Sequence, residues 1–162
     1  MLSDFRKILY VSDMDEGSRP AFRAAVSLCN HYESRITYLH VIESVSSTAR
    51  GVLSNMMEKE DIEGFLQQGI TKLREKAQIR LERFCEQELE GDDRLDMEQV
   101  DVRVEEGTPW KVILRVADEM DADVIVMGTR KHSTWGQVVL GSTAAKTLGH
   151  SKRPVLVVPL NS

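Results

Sequence analysis

Apolar residues recur along this chain with two different periods, and the two periods alternate. Lys7-Ile-Leu-Tyr-Val-Ser12 is a short apolar run ending at Asp13, the pattern of a buried strand. From Arg19 to Tyr32, Phe22, Ala25, Val26 and Cys29 fall at helical spacing. Ile36-Thr-Tyr-Leu-His-Val-Ile42 is rich in β-branched and aromatic residues and predicts a second strand. Between Glu43 and Asp61 the periodicity is lost. Ser44, Ser46, Ser47, Thr48, Gly51 and Ser54 predict a long loop there, serving as a lid or an interaction segment. A long helix follows from Ile62 to Leu89, with Phe65, Leu66, Ile70, Leu73, Ala77, Leu81, Phe84 and Cys85 at steps of three and four. Val100-Asp-Val-Arg-Val104 alternates, which places this strand near an edge. Thr108-Pro109 opens a helix that runs from Trp110 to Met120. Val124-Ile-Val-Met127 is the fourth strand, Thr143–His150 a short helix, and Val155-Leu-Val-Val158, between Pro154 and Pro159, the fifth strand.

Strands that alternate with helices imply parallel pairing with a helix in each crossover. The chain is therefore read as one α/β domain over residues 1–162: a single open five-stranded parallel sheet with helices on both faces, residues 43–61 forming a long loop within it. Ligands of such sheets sit beyond the carboxyl ends of the strands, where the strand order reverses. That rule selects Asp13, Val41, Gly128 and the segment after Gly128.

Charge and composition narrow the function. Lys and Arg number 21 against 26 Asp and Glu, a net charge of -5, so no basic face for nucleic acid is expected. No apolar stretch approaches the ~20 residues of a membrane span. The N-terminus leads straight into a strand without a signal-type apolar segment, and a cytoplasmic location is expected. Cys29 and Cys85 lie far apart in helical patterns and read as reduced, packed thiols; no metal-ligand spacing occurs.

The candidate chemistry lies in Gly128-Thr-Arg-Lys-His-Ser-Thr-Trp-Gly-Gln-Val-Val-Leu-Gly141-Ser142-Thr143, which joins a strand to a helix. Small residues admit a ligand close to the backbone, and free N–H groups at a helix N-terminus face an anion. The spacing is neither the P-loop, since Ala145 precedes Lys146-Thr147, nor GxGxxG. His40, inside an apolar strand, reads as a core histidine with a satisfied ring.

Taken together, these segments resemble the universal stress protein family over essentially the whole chain. The resemblance rests on Ile8-Leu-Tyr-Val-Ser-Asp13, Leu39-His-Val-Ile42 and Glu106-Gly-Thr-Pro109, then Ala122-Asp-Val-Ile-Val-Met-Gly-Thr-Arg130, Leu140-Gly-Ser142 and Arg153-Pro-Val-Leu-Val-Val-Pro159. It implies an adenine nucleotide alpha hydrolase-like, Rossmann-like fold. It also implies a cytoplasmic stress-response regulator or sensor that binds ATP or AMP, with Mg²⁺ as the accompanying ion. ATP-binding members carry G-x2-G-x9-G-[ST]. Gly128 matches the first glycine and Gly141-Ser142 the last pair, while Lys131 stands in place of the second glycine. Its ammonium would attract a triphosphate; its bulk, and about 1 kcal/mol for a left-handed conformation, would oppose close approach.

Carried over residue by residue, the resemblance places Asp13 near the adenosine, the Val41 backbone at the adenine edge, and Gly128 at the ribose. Gly141, Ser142 and Thr143 would present N–H groups and a hydroxyl to the phosphates, and Met127, Arg130 and Lys131 complete the set. It further implies a homodimer through the Val155–Val158 strand. Two other functions stay open: a nucleotide-free homodimeric scaffold, and a slow ATP hydrolase. For hydrolysis the sequence offers Asp13, Asp15, Glu16 and His132, but no recognisable catalytic spacing.

Overall fold

Each apolar run described above becomes a strand, and each helical period a helix, in a computed structural model that describes residues 2, 4–44, 46–130 and 140–160. In chain order these are β1 (Lys7–Val11), α1 (Arg19–Tyr32), β2 (Arg35–Ile42), α2 (Ser47–Met56), α3 (Lys59–Glu88), β3 (Val100–Glu106), α4 (Pro109–Glu119), β4 (Val124–Arg130), α5 (Ser142–His150) and β5 (Val155–Leu160). The strands form one sheet in the order β3-β2-β1-β4-β5. Every pairing is parallel, with Ile8 level with both Ile36 and Val124. β3 is an edge strand, as its alternation requires.

Both faces of the sheet are buried. On one, Ile8, Tyr10 and Val126 pack with Phe22 and Val26 of α1 and Leu81 and Phe84 of α3. On the other, Leu9, Leu39, Ile125 and Met127 pack with Val112, Ile113 and Val116 of α4 and Ala144 of α5. β1 and β4 are central, so their side chains are covered on both sides, which is why they read as continuous apolar runs and not as alternating ones.

The long loop expected over 43–61 is corrected: Ser47–Met56 is the helix α2, and α3 begins at Lys59. The serines that suggested a loop include the α2 N-cap, where Ser46 Oγ accepts from the Ala49 N–H at 3.2 Å. No α2 residue is buried, so the helix carries no core-facing period for the sequence to display.

Candidate functional site

The strand order reverses between β1 and β4: β2 and β3 follow on one side of β1, and β4 and β5 on the other. Their carboxyl ends therefore flank a crevice. On the β1 side the chain turns sharply after Ser12, with Met14 in the left-handed region at φ 63. Side chains hold this turn. Ser12 Oγ accepts from the Met14 N–H at 3.0 Å and from the Tyr38 hydroxyl at 2.8 Å. Asp13 Oδ1 accepts from the Asp15 N–H at 3.0 Å, and Arg80 of α3 donates to the Asp15 carbonyl at 2.7 Å. Burial pushes the Tyr10 and Tyr38 hydroxyls above their ordinary pKa, so both remain neutral donors beneath the turn.

His40 is satisfied, as expected, but it is only half-buried and stands on the crevice wall. Its Nδ1 lies 2.8 Å from the Ser12 carbonyl, which can only accept. Nδ1 therefore carries the proton, and in the neutral ring Nε2 is an acceptor.

On the β4 side, Gly128 lies within the strand, not in the loop after it, and has a specific packing reason. A Cβ on Gly128 would lie 2.4 Å from Leu160 Cδ1 and 2.8 Å from its Cγ. Gly128 thus admits the β5 side chain against β4. Thr129 is buried, and its hydroxyl accepts from the Gly141 N–H at 2.8 Å, fixing the start of α5 against the end of β4. That leaves the Ser142 and Thr143 N–H groups, which in the first turn of α5 have no intrahelical acceptor. Glu106-Gly107-Thr108-Pro109 makes a second tight entry into a helix. Gly107 has φ 152, and a Cβ there would meet Val112 Cγ2 at 2.7 Å.

Arg130 connects the two sides. Its Nη2 lies 2.8 Å from Asp13 Oδ2 and 2.8 Å from Asp15 Oδ2. The hydrogen bond to Asp13, then the attraction of both carboxylates, raises the guanidinium further above its ordinary pKa. The site therefore carries, among the described residues, a cation clamped by two carboxylates at its rim.

The crevice holds two adjoining cavities. The larger, of ≈ 330 Å³, is walled by Val11, Asp13, Val41, Ile113, Met127 and Gly128. The other, of ≈ 310 Å³, opens onto Arg130, Gly141, Ser142 and Thr143. Asp13, Met127, Gly128, Thr143 and Leu160 border both. The sequence-selected residues Asp13, Val41, Met127, Gly128, Arg130, Gly141, Ser142 and Thr143 thus stand around one crevice; Lys131 and His132 lie outside the described residues. Leu160, Thr129 and the carboxylate of Asp15 were not selected as parts of a binding site. Leu160 follows a proline that reads as the end of the strand, and no spacing sets Thr129 apart from an ordinary strand residue.

The comparisons with known proteins agree with this architecture. The Universal stress protein family profile matches residues 4–159. Universal stress protein MJ0577 of Methanocaldococcus jannaschii is 25% identical over 162 residues, covering 95% of this chain and 94% of that protein. A universal stress protein of Thermus aquaticus is 26% identical over 155 residues, covering 95% and 98%. Among solved structures, that of MJ0577 superposes with a TM-score of 0.65 at 23% identity and 97% coverage of both chains. A universal stress protein in complex with cAMP superposes at 0.60 with 18% identity, covering 97% and 98%. With a five-stranded parallel sheet of matching architecture and a family match across nearly its whole length, the chain belongs to the universal stress protein family.

Proposed function

We propose that this protein binds an adenine nucleotide, ATP or AMP, in the crevice between β1 and β4 and acts as a cytoplasmic regulator or sensor in a stress response. One observation carries the reading. An apolar-walled cavity at the sheet's switch point adjoins a second one lined by an arginine and the N-terminal turn of α5. The first suits a base and sugar between Val11, Val41, Ile113 and Met127. The second suits phosphates on the Ser142 and Thr143 N–H groups, with Arg130 alongside. The volumes fall at the lower end of the ~300–1,000 Å³ usual for ligand sites. A relative of this fold has been crystallised with cAMP, which supports an adenine ligand as the first to test.

Among the described residues, no group of three or more His, Cys, Asp or Glu side chains could hold a metal ion. A magnesium ion would enter on the nucleotide's own phosphates, the usual manner for this ion, with Asp13 as the carboxylate that borders both cavities. Calorimetry with ATP, ADP and AMP at millimolar concentration tests the reading. The expected result is saturable heat for at least one. Silence for all three favours the alternative of a nucleotide-free scaffold, which the closed Arg130–Asp13–Asp15 clamp also fits. Repeated turnover of ATP would move the protein to the hydrolase reading.

The scaffold and sensor readings share a homodimer through β5. Among the described residues β5 pairs only with β4, leaving its other edge open. Leu156 is 39% exposed on it, and Pro159 ends the run of donors available for pairing. A two-fold axis would pair the edge with its own copy, antiparallel. Leu156→Lys is expected to weaken this dimer by about tenfold or more, since an edge lysine opposes strand pairing. A monomer for the unmodified protein at tens of micromolar, by light scattering, would overturn the dimer.

A further inference from the structure

The N-terminal part of α3 is not built into either core. Its buried residues are Ala77, Leu81 and Phe84. Residues 59–76, roughly 27 Å of helix, therefore precede its first buried side chain. They are nonetheless amphipathic. Ile62, Phe65, Leu66, Gly69, Ile70 and Leu73 fall within an arc of about 140° on a helix turning about 100° per residue. Phe65 is 67% exposed. α2 lies along one flank of this stripe, where Leu53 and Met57 face Ile62 and Leu66 across a groove of ≈ 450 Å³. The flank bearing Phe65 is open.

The order of residues in the stripe points to what covers it. Reversed about the bond between Gln67 and Gln68, position 62 exchanges with 73, 65 with 70, and 66 with 69. The apolar pattern is its own mirror along the helix. Two copies laid antiparallel would thus set stripe against stripe, with Ile62 against Leu73 twice at its centre and the two copies of Phe65 on one shared flank. Charge follows the same symmetry. Asp61 and Lys72 both border the Phe65 flank. In an antiparallel pair like flanks meet, bringing Asp61 of one copy within about 3 Å, along the axis, of level with Lys72 of the other. Along one helix these two are eleven positions apart, about 16 Å, too far to pair with each other. Among the described residues neither has an ion-pair partner.

We propose that the α3 arm, residues 59–76, is a self-association surface whose partner is the same arm of a second copy, packed antiparallel about a two-fold axis at Gln67–Gln68. This surface is separate from the β5 edge and does not depend on it. With both two-fold contacts made, the assembly has four copies or extends as a chain; with the arm contact alone it stops at two.

Sedimentation velocity on the full chain from roughly 1 to 200 μM tests this, in the unmodified protein and in Leu156→Lys. A concentration-dependent doubling of mass is expected in both. Phe65→Glu should abolish it with the helical circular dichroism unchanged, because this side chain already faces solvent in the isolated chain. Asp61→Lys and Lys72→Asp should each weaken the doubling on the order of tenfold, by setting like charges together twice. The double variant Asp61→Lys/Lys72→Asp should recover most of that loss, a rescue that only pairing between copies produces. No doubling in the Leu156→Lys protein would overturn the proposal whatever the β5 edge does. So would indifference to Phe65→Glu, or a double variant weaker than either single one.

Discussion

Gly128→Ala is expected to destabilise the protein by about 1–3 kcal/mol and to weaken any ligand of the crevice, although it adds one methyl group to an otherwise regular strand. The methyl has no room. It would sit 2.4 Å from Leu160 Cδ1, and Leu160 is buried at the end of β5. The leucine must move, and it borders both cavities, so its displacement alters the volume the ligand uses. Leu160→Ala alone should cost about 2–5 kcal/mol, from lost burial and the void it leaves. Combined, the two changes should be less damaging than their sum by about 1–2 kcal/mol, because the new methyl occupies part of that void. Urea unfolding of the four proteins closes the cycle, with equal slopes required before the midpoints are compared. A Gly128→Ala protein within about 0.5 kcal/mol of the parent would show that the leucine finds another rotamer at no cost, and that the glycine is not there for packing.

That result bears on how motif glycines are read. The family resemblance implies that Gly128 faces a ribose. In the structure, the space its missing Cβ leaves is occupied by Leu160 of the neighbouring strand. A glycine at a loop mouth is legible as a place of close approach; which group approaches depends on a partner 32 positions away and has no local signal. Strand identity and the location of the crevice were legible for the opposite reason. Buried strands must be apolar along their length, and parallel crossovers need helices, so pattern alone fixes β1, β2, β4 and β5 to within a few residues and places their ends. α2 was illegible because it buries nothing. The Thr129–Gly141 bond and the carboxylate pair on Arg130 are contacts between side chains whose types are ordinary at those positions, and only the fold brings them together.

Arg130→Ala should lower ATP affinity about ten- to hundredfold while changing adenosine affinity by no more than about twofold, if the crevice holds phosphates beside α5. The sign rests on two effects that act together. The guanidinium lost is the cation described at the phosphate end, and a charge-assisted hydrogen bond is worth about 1.5–3 kcal/mol. Its loss also leaves Asp13 and Asp15 unneutralised, two carboxylates that would repel an anion entering there. Stability should hardly change. Arg130 is half-buried but both carboxylates are exposed, and ion pairs at such a solvated rim contribute only about 0–1 kcal/mol. Unchanged melting with lost ATP binding therefore separates a role in recognition from one in folding. Arg130→Lys should recover part of the affinity, since the charge is kept but the planar fork that can span carboxylate and phosphate is not. Raising the salt should weaken ATP binding more in the parent than in Arg130→Ala, because the interaction removed is the one that ions screen. Equal losses for ATP and adenosine would mean that Arg130 shapes the turn at Asp13 and does not meet phosphate. Unchanged ATP affinity would mean that the phosphates lie elsewhere, and that the arginine serves only to hold the ends of β1 and β4 together.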